Sequence, residues 1–320
     1  MSLSHLSGPA EPPAAGVLVL ACVRDAALRL PDFLTHHRRL GAAHFLIVDN
    51  ASTDGTADLL QAQADVSLYH TAQSYAESRC GVDWMNALLD AHGCGRWCLI
   101  LDDDEHFVFP GWEGAPLAAL TAWLERTGAE AMVAPMLDMY PAGPLAALDY
   151  RPGQPLAAAC PWFDAEGYDR DANGHLHRGG ARHRLFWAGR ERPFPSPVLR
   201  KTPLVRWREG LALTASTHLL PGARVSQATG LLLHFKFLQD FAASAAEEAR
   251  RGEHFAGARQ YVAYADVMGA DPGFTAWYPG SVRLENSAQL VRLGLMQVPD
   301  GYPSDLSQEV APWADTGPTT

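Results

Sequence analysis

Three consecutive carboxylates form the densest group of reactive side chains in the sequence. Asp102, Asp103 and Asp104 follow an apolar run at residues 97–101 and precede a second apolar run at residues 107–109. Carboxylates this close together raise one another's pKa unless a cation lies between them. Two carboxylates combined with phosphate oxygens suit Mg2+ or Mn2+. Because apolar residues flank the triplet on both sides, we favour a metal site at Asp102 and Asp104 over a solvated acidic turn.

A second polar group follows the apolar run at residues 44–48. Asp49 and Asn50 come directly after that run, and the turn residues 52–56 (STDGT) come next. A carboxylate at a strand end, beside the N-terminus of a helix, can accept hydrogen bonds from a ribose. The same residues can equally form an ordinary turn that caps a helix, so both interpretations stay open at this point. The acidic triplet at another strand end favours the nucleotide site.

Apolar periodicity defines the elements that must position these groups. Continuous apolar runs predict buried strands, and apolar residues on one helical face predict helices. The predicted strands cover residues 17–23, 44–48, 97–101, 131–135 and 230–237, and the predicted helices cover residues 31–40, 57–64, 76–91 and 238–251. Solid apolar strands that alternate with helices are typical of an α/β fold with a parallel sheet. Ligands of such sheets gather at the carboxyl ends of the strands, where both polar groups lie.

The same patterns divide the chain into four segments. Residues 15–240 are expected to form one α/β domain, in which the Pro- and Gly-rich residues 141–180 form a long loop or lid. Residues 241–300 are expected to be a helical C-terminal extension. Residues 1–14 and 301–320 lack apolar periodicity and are expected to be flexible tails.

Composition narrows the class of protein. The chain has 320 residues, of which 48% are hydrophobic, and this is enough to bury a large core. Its formal net charge of -11 argues against a nucleic-acid partner for the molecule as a whole. The sequence contains no run of about 18 apolar residues and no basic N-terminal segment followed by an apolar core. We therefore expect a cytoplasmic protein without a transmembrane segment.

Several sequence fragments together resemble one enzyme family. The fragments are residues 21–25 (ACVRD), 45–50 (FLIVDN), 52–56 (STDGT), 102–105 (DDDE), 137–140 (LDMY), 201–207 (KTPLVRW), 216–218 (STH) and 233–237 (LHFKF). They resemble bacterial family-two-type glycosyltransferases of the GT-A fold, and within these the glycosyltransferase-like family two subgroup related to galactan-synthase-like enzymes. The similarity extends over residues 16–297. It implies a GT-A-like catalytic domain with a Rossmann-type, mostly parallel central sheet flanked by helices, followed by the helical extension.

The resemblance also implies a reaction and a set of site residues. The implied reaction moves a sugar, with a UDP-linked hexose as the expectation, from a nucleotide-sugar donor to a saccharide or lipid-linked acceptor in cell-surface polysaccharide assembly. Asp102, Asp104 and His234 would bind Mn2+ or Mg2+. The donor-binding residues would be Arg24, Asp25, Asp49, Asn50, Asp54, Asp102, Arg182, Arg184 and Lys236. Arginine side chains match phosphate oxygens well, and the arginines of residues 178–208 could also contact an acceptor at the inner face of the membrane.

An inverting enzyme of this kind needs a general base for the acceptor hydroxyl. Asp138 is the first candidate, and Asp164 and Glu166 are its rivals. The sequence lacks the acceptor motif and the membrane spans of processive polysaccharide synthases, which favours addition of a single sugar. Lys201 and Lys236 are the only lysines. A compact ammonium suits a phosphate, although an ordinary surface position is the alternative for Lys201.

Two other functions remain alternatives. A nucleotidyltransferase also places carboxylates and a metal at the end of a parallel sheet, but it would bring a Gly-rich phosphate loop with a lysine, and residues 17–30 contain neither residue type. The second alternative is a non-catalytic protein that binds a nucleotide sugar. The intact pair Asp102 and Asp104 argues against such a degenerate site.

Overall fold

A computed structural model describes residues 3–215, 217–218, 220–303 and 306. Its strands are β1 (Ser4–Ser7), β2 (Val17–Val23), β3 (Ala42–Asp49), β4 (Val66–His70), β5 (Trp97–Leu101), β6 (Glu105–Val108), β7 (Ala131–Met132), β8 (Met136–Asp138), β9 (Trp162–Asp164), β10 (Tyr168–Arg170), β11 (Leu176–Gly179), β12 (Leu204–Arg206), β13 (Leu231–His234) and β14 (Ser281–Arg283). Its α-helices are α1 (Leu30–Arg39), α2 (Thr56–Gln61), α3 (Val82–His92), α4 (Leu117–Arg126), α5 (Leu156–Ala159), α6 (Gly180–Phe186), α7 (Phe241–Arg251), α8 (Arg259–Gly269) and α9 (Ser287–Arg292). A short 3-10 helix covers Leu145–Ala147.

A seven-stranded sheet lies at the centre, in the order β1-β4-β3-β2-β5-β12-β7. The four strands β4, β3, β2 and β5 are parallel, whereas β1 and β12 run antiparallel to their parallel neighbours and β7 runs antiparallel to β12. Almost every residue of β2 and β5 is buried, as expected for strands covered on both faces. The predicted α/β class, with a mostly parallel central sheet flanked by helices, is confirmed.

The strand order places a crevice between β2 and β5. From β2 the chain proceeds to β3 and β4 on one side, and it then returns to add β5 on the other side of β2. Such a reversal is the point where open α/β sheets bind ligands, outside the carboxyl ends of the strands. The residues that follow β2 and β5 therefore lie at the favoured binding edge.

A second, three-stranded sheet carries the other half of the site. Its order is β6-β13-β8, with β13 antiparallel to β6 and parallel to β8. The register pairs His234 with Glu105 on one side and with Asp138 on the other. Three segments that are far apart in the sequence thus meet at the end of β13.

Some expected boundaries differ from the structure. The tail expected at residues 1–14 is wrong at Ser4–Ser7, because this segment pairs with β4 as an edge strand. The helix expected from residue 76 begins at Val82, because Arg79, Cys80 and Gly81 adopt left-handed backbone angles that an α-helix cannot continue.

The expected lid at residues 141–180 is not a separate loop. It contains α5, β9, β10 and β11, and β9 pairs with β14 from the expected helical extension. Of the expected tail at residues 301–320, Tyr302 packs its ring against Trp123, whereas residues 304–305 and 307–320 lie outside the described residues, as does Ser216. None of the helices in the described part of the chain combines the length and the apolar character needed to cross a membrane.

Candidate functional site

The acidic turn follows β5 at the crevice. Glu105, the first residue of β6, is fully buried, and its Oε2 accepts a hydrogen bond from the backbone N–H of Asp102 at 3.1 Å. The ammonium of Lys201 lies 2.7 Å from Glu105 Oε1 and 2.6 Å from Asp102 Oδ2. The Lys201 side chain is 4% exposed, whereas that of Asp102 is 53% exposed. Asp102 is thus held from behind by a buried ion pair and open to solvent in front.

A row of buried polar side chains leads from Asp104 into the protein. Asp104 Oδ2 lies 3.3 Å from Nε2 of His234. The opposite ring nitrogen of His234, Nδ1, donates a hydrogen bond to Asp138 Oδ1 at 2.7 Å. Arg182 then contacts both Asp138 oxygens through Nε, at 2.8 and 2.9 Å. This row fixes the ring orientation of His234 and presents Nε2 to Asp104.

Lysines keep two of the three carboxylates of the turn charged. Burial would raise the pKa of Asp104, but Lys236 and His234 outweigh burial and hold this pKa well below its ordinary range. The ammonium of Lys201 lowers the pKa of Asp102. Burial and the neighbouring charge of Asp104 raise the pKa of Asp103 to about 7. The turn therefore carries negative charges on Asp102 and Asp104 at neutral pH.

Lys236 links the acidic turn to the C-terminal helices. Its ammonium lies 3.3 Å from Asp104 Oδ2 and 5.3 Å from the ring centroid of Tyr261, in α8. Beside it, Arg29 forms a two-pronged ion pair with Asp240 at 2.7 and 2.8 Å. The expected strand at residues 230–237 covers only Leu231–His234, and Lys236 lies beyond its end, beside Asp104.

The residues predicted around β3 lie together at the sheet edge, but most of their polar atoms form hydrogen bonds within the loops that follow β2 and β3. The carboxylate of Asp49 lies 3.2 Å from His70 Nδ1 and accepts from the backbone N–H of Ser52. Asn50 donates to the carbonyls of residues 71 and 73, and Arg24 donates to the carbonyl of Asn50 at 2.8 Å.

Asp25 and Asp54 join the loop after β2 to the turn after β3. Asp25 accepts from the backbone N–H of Thr53 at 2.6 Å. Asp54 accepts from the backbone N–H of Ala27 at 3.0 Å and from both the backbone N–H and the hydroxyl of Thr56. Both Asp54 oxygens are therefore occupied within the turn. This geometry favours the capped turn over donor binding for Asp54. Asp49 is buried, whereas Arg24 is partly exposed.

Two of the three predicted general bases are held in buried ion pairs. Asp138 has both oxygens in contact with Arg182 and His234, and although burial opposes it, the charge of Arg182 lowers the Asp138 pKa to about 2. Asp164 receives two hydrogen bonds from Arg184, at 2.8 and 2.9 Å, and a further one from Tyr140. Neither carboxylate suits the role of a base for an acceptor. Glu166 is exposed and stays a prediction.

The two arginines predicted to bind the donor diphosphate, Arg182 and Arg184, instead pair with carboxylates of the protein itself. Arg182 is buried behind His234. Arg184 bonds Asp164 and the carbonyl of Ala276, and its guanidinium lies over the ring of Tyr278 at 4.1 Å. Both arginines therefore position other parts of the fold. The sequence pattern could not separate them from solvent-facing arginines because their carboxylate partners are 20 to 44 positions away.

The donor set suits a divalent cation only in part. Within the described residues, no three His, Cys, Asp or Glu side chains are grouped as a set of metal ligands. Asp104 and His234 are in contact, whereas Asp102 contacts Lys201 instead. Two protein ligands nevertheless fit a nucleotide-bound Mg2+ or Mn2+, because such ions complete their shell with waters and phosphate oxygens. The Nδ1 anchor of His234 is also the usual arrangement behind a metal-binding histidine.

The crevice itself is nearly filled. A cavity of about 20 Å3 lies at the carboxyl ends of β2 and β5, against the start of α3, and it is lined by Cys22, Tyr75, Asp102 and Thr217 among others. A larger groove of about 620 Å3 lies against α6 and α8 and is lined by Arg190, Arg192, Asp266 and their neighbours. These two arginines belong to residues 178–208, but none of the residues predicted to bind the donor or the metal lines this groove. We place the candidate site at the acidic turn, because Asp102 lines the smaller cavity and Asp104 contacts His234 and Lys236.

Sequence reasoning missed the pair Glu105 and Lys201 as a unit. Glu105 has no role of its own in the sequence analysis, and Lys201 is considered there for a phosphate or for a surface position. The surface position is wrong, because Lys201 is buried against two carboxylates. A lysine in a sequence that otherwise uses arginine was the available signal. Its partners lie 96 and 99 positions away, so the pattern could not name them.

Comparisons with known proteins add little to this picture. No family model matches the chain, and no curated protein matches it. Among solved structures, it is similar to one described as the crystal structure of 4-diphosphocytidyl-2C-methyl-D-erythritol synthase, with 15% sequence identity over 88% of this chain and 99% of that chain, at a TM-score of 0.28. A TM-score this low carries no argument about fold or activity. The architecture stands on the strand order described above.

Proposed function

We propose that the chain is a metal-dependent glycosyltransferase that moves a sugar from a nucleotide-sugar donor, with UDP-linked sugars as the first candidates. The observation that carries the proposal is the contact between Asp104 and His234 at the binding edge of the sheet, backed by Asp138 and Arg182. The resemblance of the sequence fragments supports sugar transfer over other reactions that use such a site.

Asp104 and His234 would hold Mn2+ or Mg2+, and Asp102 would face the donor beside them. When bound, the cation would supply positive charge to the departing diphosphate. The ammonium of Lys236, next to Asp104, would stabilise the same charge as it develops. Arg24 and Asp49, at the ends of β2 and β3, would contact the nucleoside.

Asp138 and Arg182 would act through His234. A hydrogen bond to Nδ1 fixes both the tautomer and the orientation of a metal-binding histidine. The charge of Arg182 keeps Asp138 ionised in a buried position. We retain Glu166 as the proposed general base. A saccharide or lipid-linked acceptor, in cell-surface polysaccharide assembly at the membrane face, is proposed on the resemblance alone.

Calorimetric titration with a panel of nucleotide sugars, with and without Mn2+, tests the proposal. We expect one donor to bind the wild-type protein only when Mn2+ is present. Asp104→Asn should weaken this binding about 100-fold, because it removes a charged ligand. Asp149→Asn, which alters an exposed ion pair with Arg151, is the matched control and should bind like the wild type. If donor binding changes neither without Mn2+ nor in Asp104→Asn, the acidic turn does not bind the donor or its metal, and the proposal is contradicted.

A further inference from the structure

Lys201 closes a ring of three contacts around the acidic turn. Its ammonium contacts Glu105 Oε1 and Asp102 Oδ2, and Glu105 Oε2 accepts the backbone N–H of Asp102. One buried lysine thus fixes both the backbone and the carboxylate of Asp102. Only Oδ2 of Asp102 contacts the ammonium. Within the described residues, no hydrogen bond or ion pair occupies Oδ1, which remains available to a ligand.

The segment that carries Lys201 is itself firmly held. The carbonyl of Lys201 accepts a hydrogen bond from Ala134, and the N–H of Thr202 donates to Thr217. The carbonyl of Pro203 accepts from Ile100, in β5. The ammonium is therefore presented to the turn from a backbone that is tied to β5 itself.

A role in stability alone does not account for this arrangement. Removing two charges from water costs several kcal/mol per ion, and a buried ion pair is often no more stabilising than apolar residues of similar volume. The unequal exposure of the partners is more informative. Lys201 and Glu105 are buried, whereas Asp102 is half exposed and lines the crevice cavity. The pair holds in place the one carboxylate of the ring that a ligand can reach.

We propose that Lys201 is a positioning residue, which fixes the carboxylate of Asp102 toward the donor and its metal. The proposal rests on the proposed function only in naming the ligand that Asp102 receives. Lys201 would touch neither donor nor metal. Lys201 would thus act on Asp102 as Asp138 acts on His234, since each is a buried group that orients a residue of the site.

The test uses Glu105→Gln as its background. In that variant Asp102 is the carboxylate that still pairs with Lys201. Because Asp102 is half exposed, replacing Lys201 then leaves no buried carboxylate without a cation. The double variant Glu105→Gln/Lys201→Met is compared with Glu105→Gln/Arg206→Met, which removes a half-exposed arginine of the nearby β12. Urea unfolding of all three proteins checks that each one folds.

Two measurements are made on these proteins. Without metal or donor, amide hydrogen exchange of residues 102–105 should be about tenfold faster in the Lys201→Met protein than in its background. With Mn2+ and the donor, the affinity should fall by about 10- to 100-fold, because Asp102 would no longer be held toward the donor; losses of this size are typical when a group that orients a binding residue is removed. The Arg206→Met control should match the background in both measurements.

The outcomes separate the two proposals. Unchanged exchange in the turn would overturn the role of Lys201, and so would faster exchange with unchanged donor affinity. If the Glu105→Gln background and the wild type both fail to bind every nucleotide sugar, the proposed function fails. The exchange measurement then still decides whether Lys201 fixes Asp102.

Discussion

The pair Asp138 and Arg182 provides the sharpest energetic prediction. Both side chains are buried, and they contact each other through two oxygens. Removing one partner of such a pair leaves an uncompensated buried charge and costs about 3–5 kcal/mol. We therefore expect Arg182→Met to lower the free energy of unfolding by this amount. We expect Asp138→Asn to lower it by nearly as much, because Arg182 stays charged.

The pKa of Asp138 reflects the combined effect of burial, Arg182 and His234 on the same carboxylate. It is lowered from its ordinary value of 3.8 to about 2, which corresponds to about 2 kcal/mol in favour of the charged form in the folded state. Because the folded pKa is the lower one, this stabilisation is present above pH 4 and is lost as the pH falls toward 2. Because Arg182 is the largest of the contributions that favour the charged form, we expect a coupling of about 2 kcal/mol between Asp138 and Arg182 at pH 7.

A double-mutant cycle at pH 7 measures this coupling. Urea unfolding of the wild type, the two single variants and the double variant gives the four free energies. The double variant should lose at least about 2 kcal/mol less than the sum of the single losses, since it buries neither charge. Glu247 and Arg250, an exposed pair on α7, form the control cycle and should show no resolvable coupling. If the losses at Asp138 and Arg182 are additive, the two side chains do not form the buried ion pair that we describe behind His234.

Two further predictions concern stability and the turn after β3. Burial lowers the pKa of His36 to about 4, so the unfolded chain binds a proton below pH 6.5 that the folded chain takes up only near pH 4. Acidification from pH 7 to 4 should therefore cost the wild type up to about 3 kcal/mol more than His36→Gln, and equal losses in urea unfolding would contradict this. Asp54→Ala should lower the free energy of unfolding by about 1–2 kcal/mol through its lost hydrogen bonds to Ala27 and Thr56. Donor affinity in calorimetry should change less than threefold, and a larger loss would restore Asp54 to the donor site.

Local apolar patterns predicted the central strands well. The strands expected at residues 17–23 and 97–101 have these bounds in the structure, because a fully buried parallel strand is a solid apolar run between polar ends. β4 escaped prediction because the sequence VSLYH is short and mixes polar with apolar residues. The start of α3 shifted because left-handed residues before Val82 are set by tertiary context.

The site was predictable in location but not in its partnerships. Strand ends indicated Asp102, Asp104 and Asp49, and all three lie at the binding edge. The roles of Asp138 and Arg182 depend on the register of β8 and β13 and on the fold of α6. Such contacts join residues 44 to 96 positions apart, and no local pattern in one sequence encodes them.

Phosphorus NMR of the reaction products tests the central claim most directly. The protein is incubated with Mn2+ and either a panel of nucleotide sugars with saccharide acceptors or nucleoside triphosphates with sugar phosphates. A glycosyltransferase releases a nucleoside diphosphate from a nucleotide sugar, and this release should disappear in Asp104→Asn. Pyrophosphate released from a triphosphate would instead identify a nucleotidyltransferase and contradict the account.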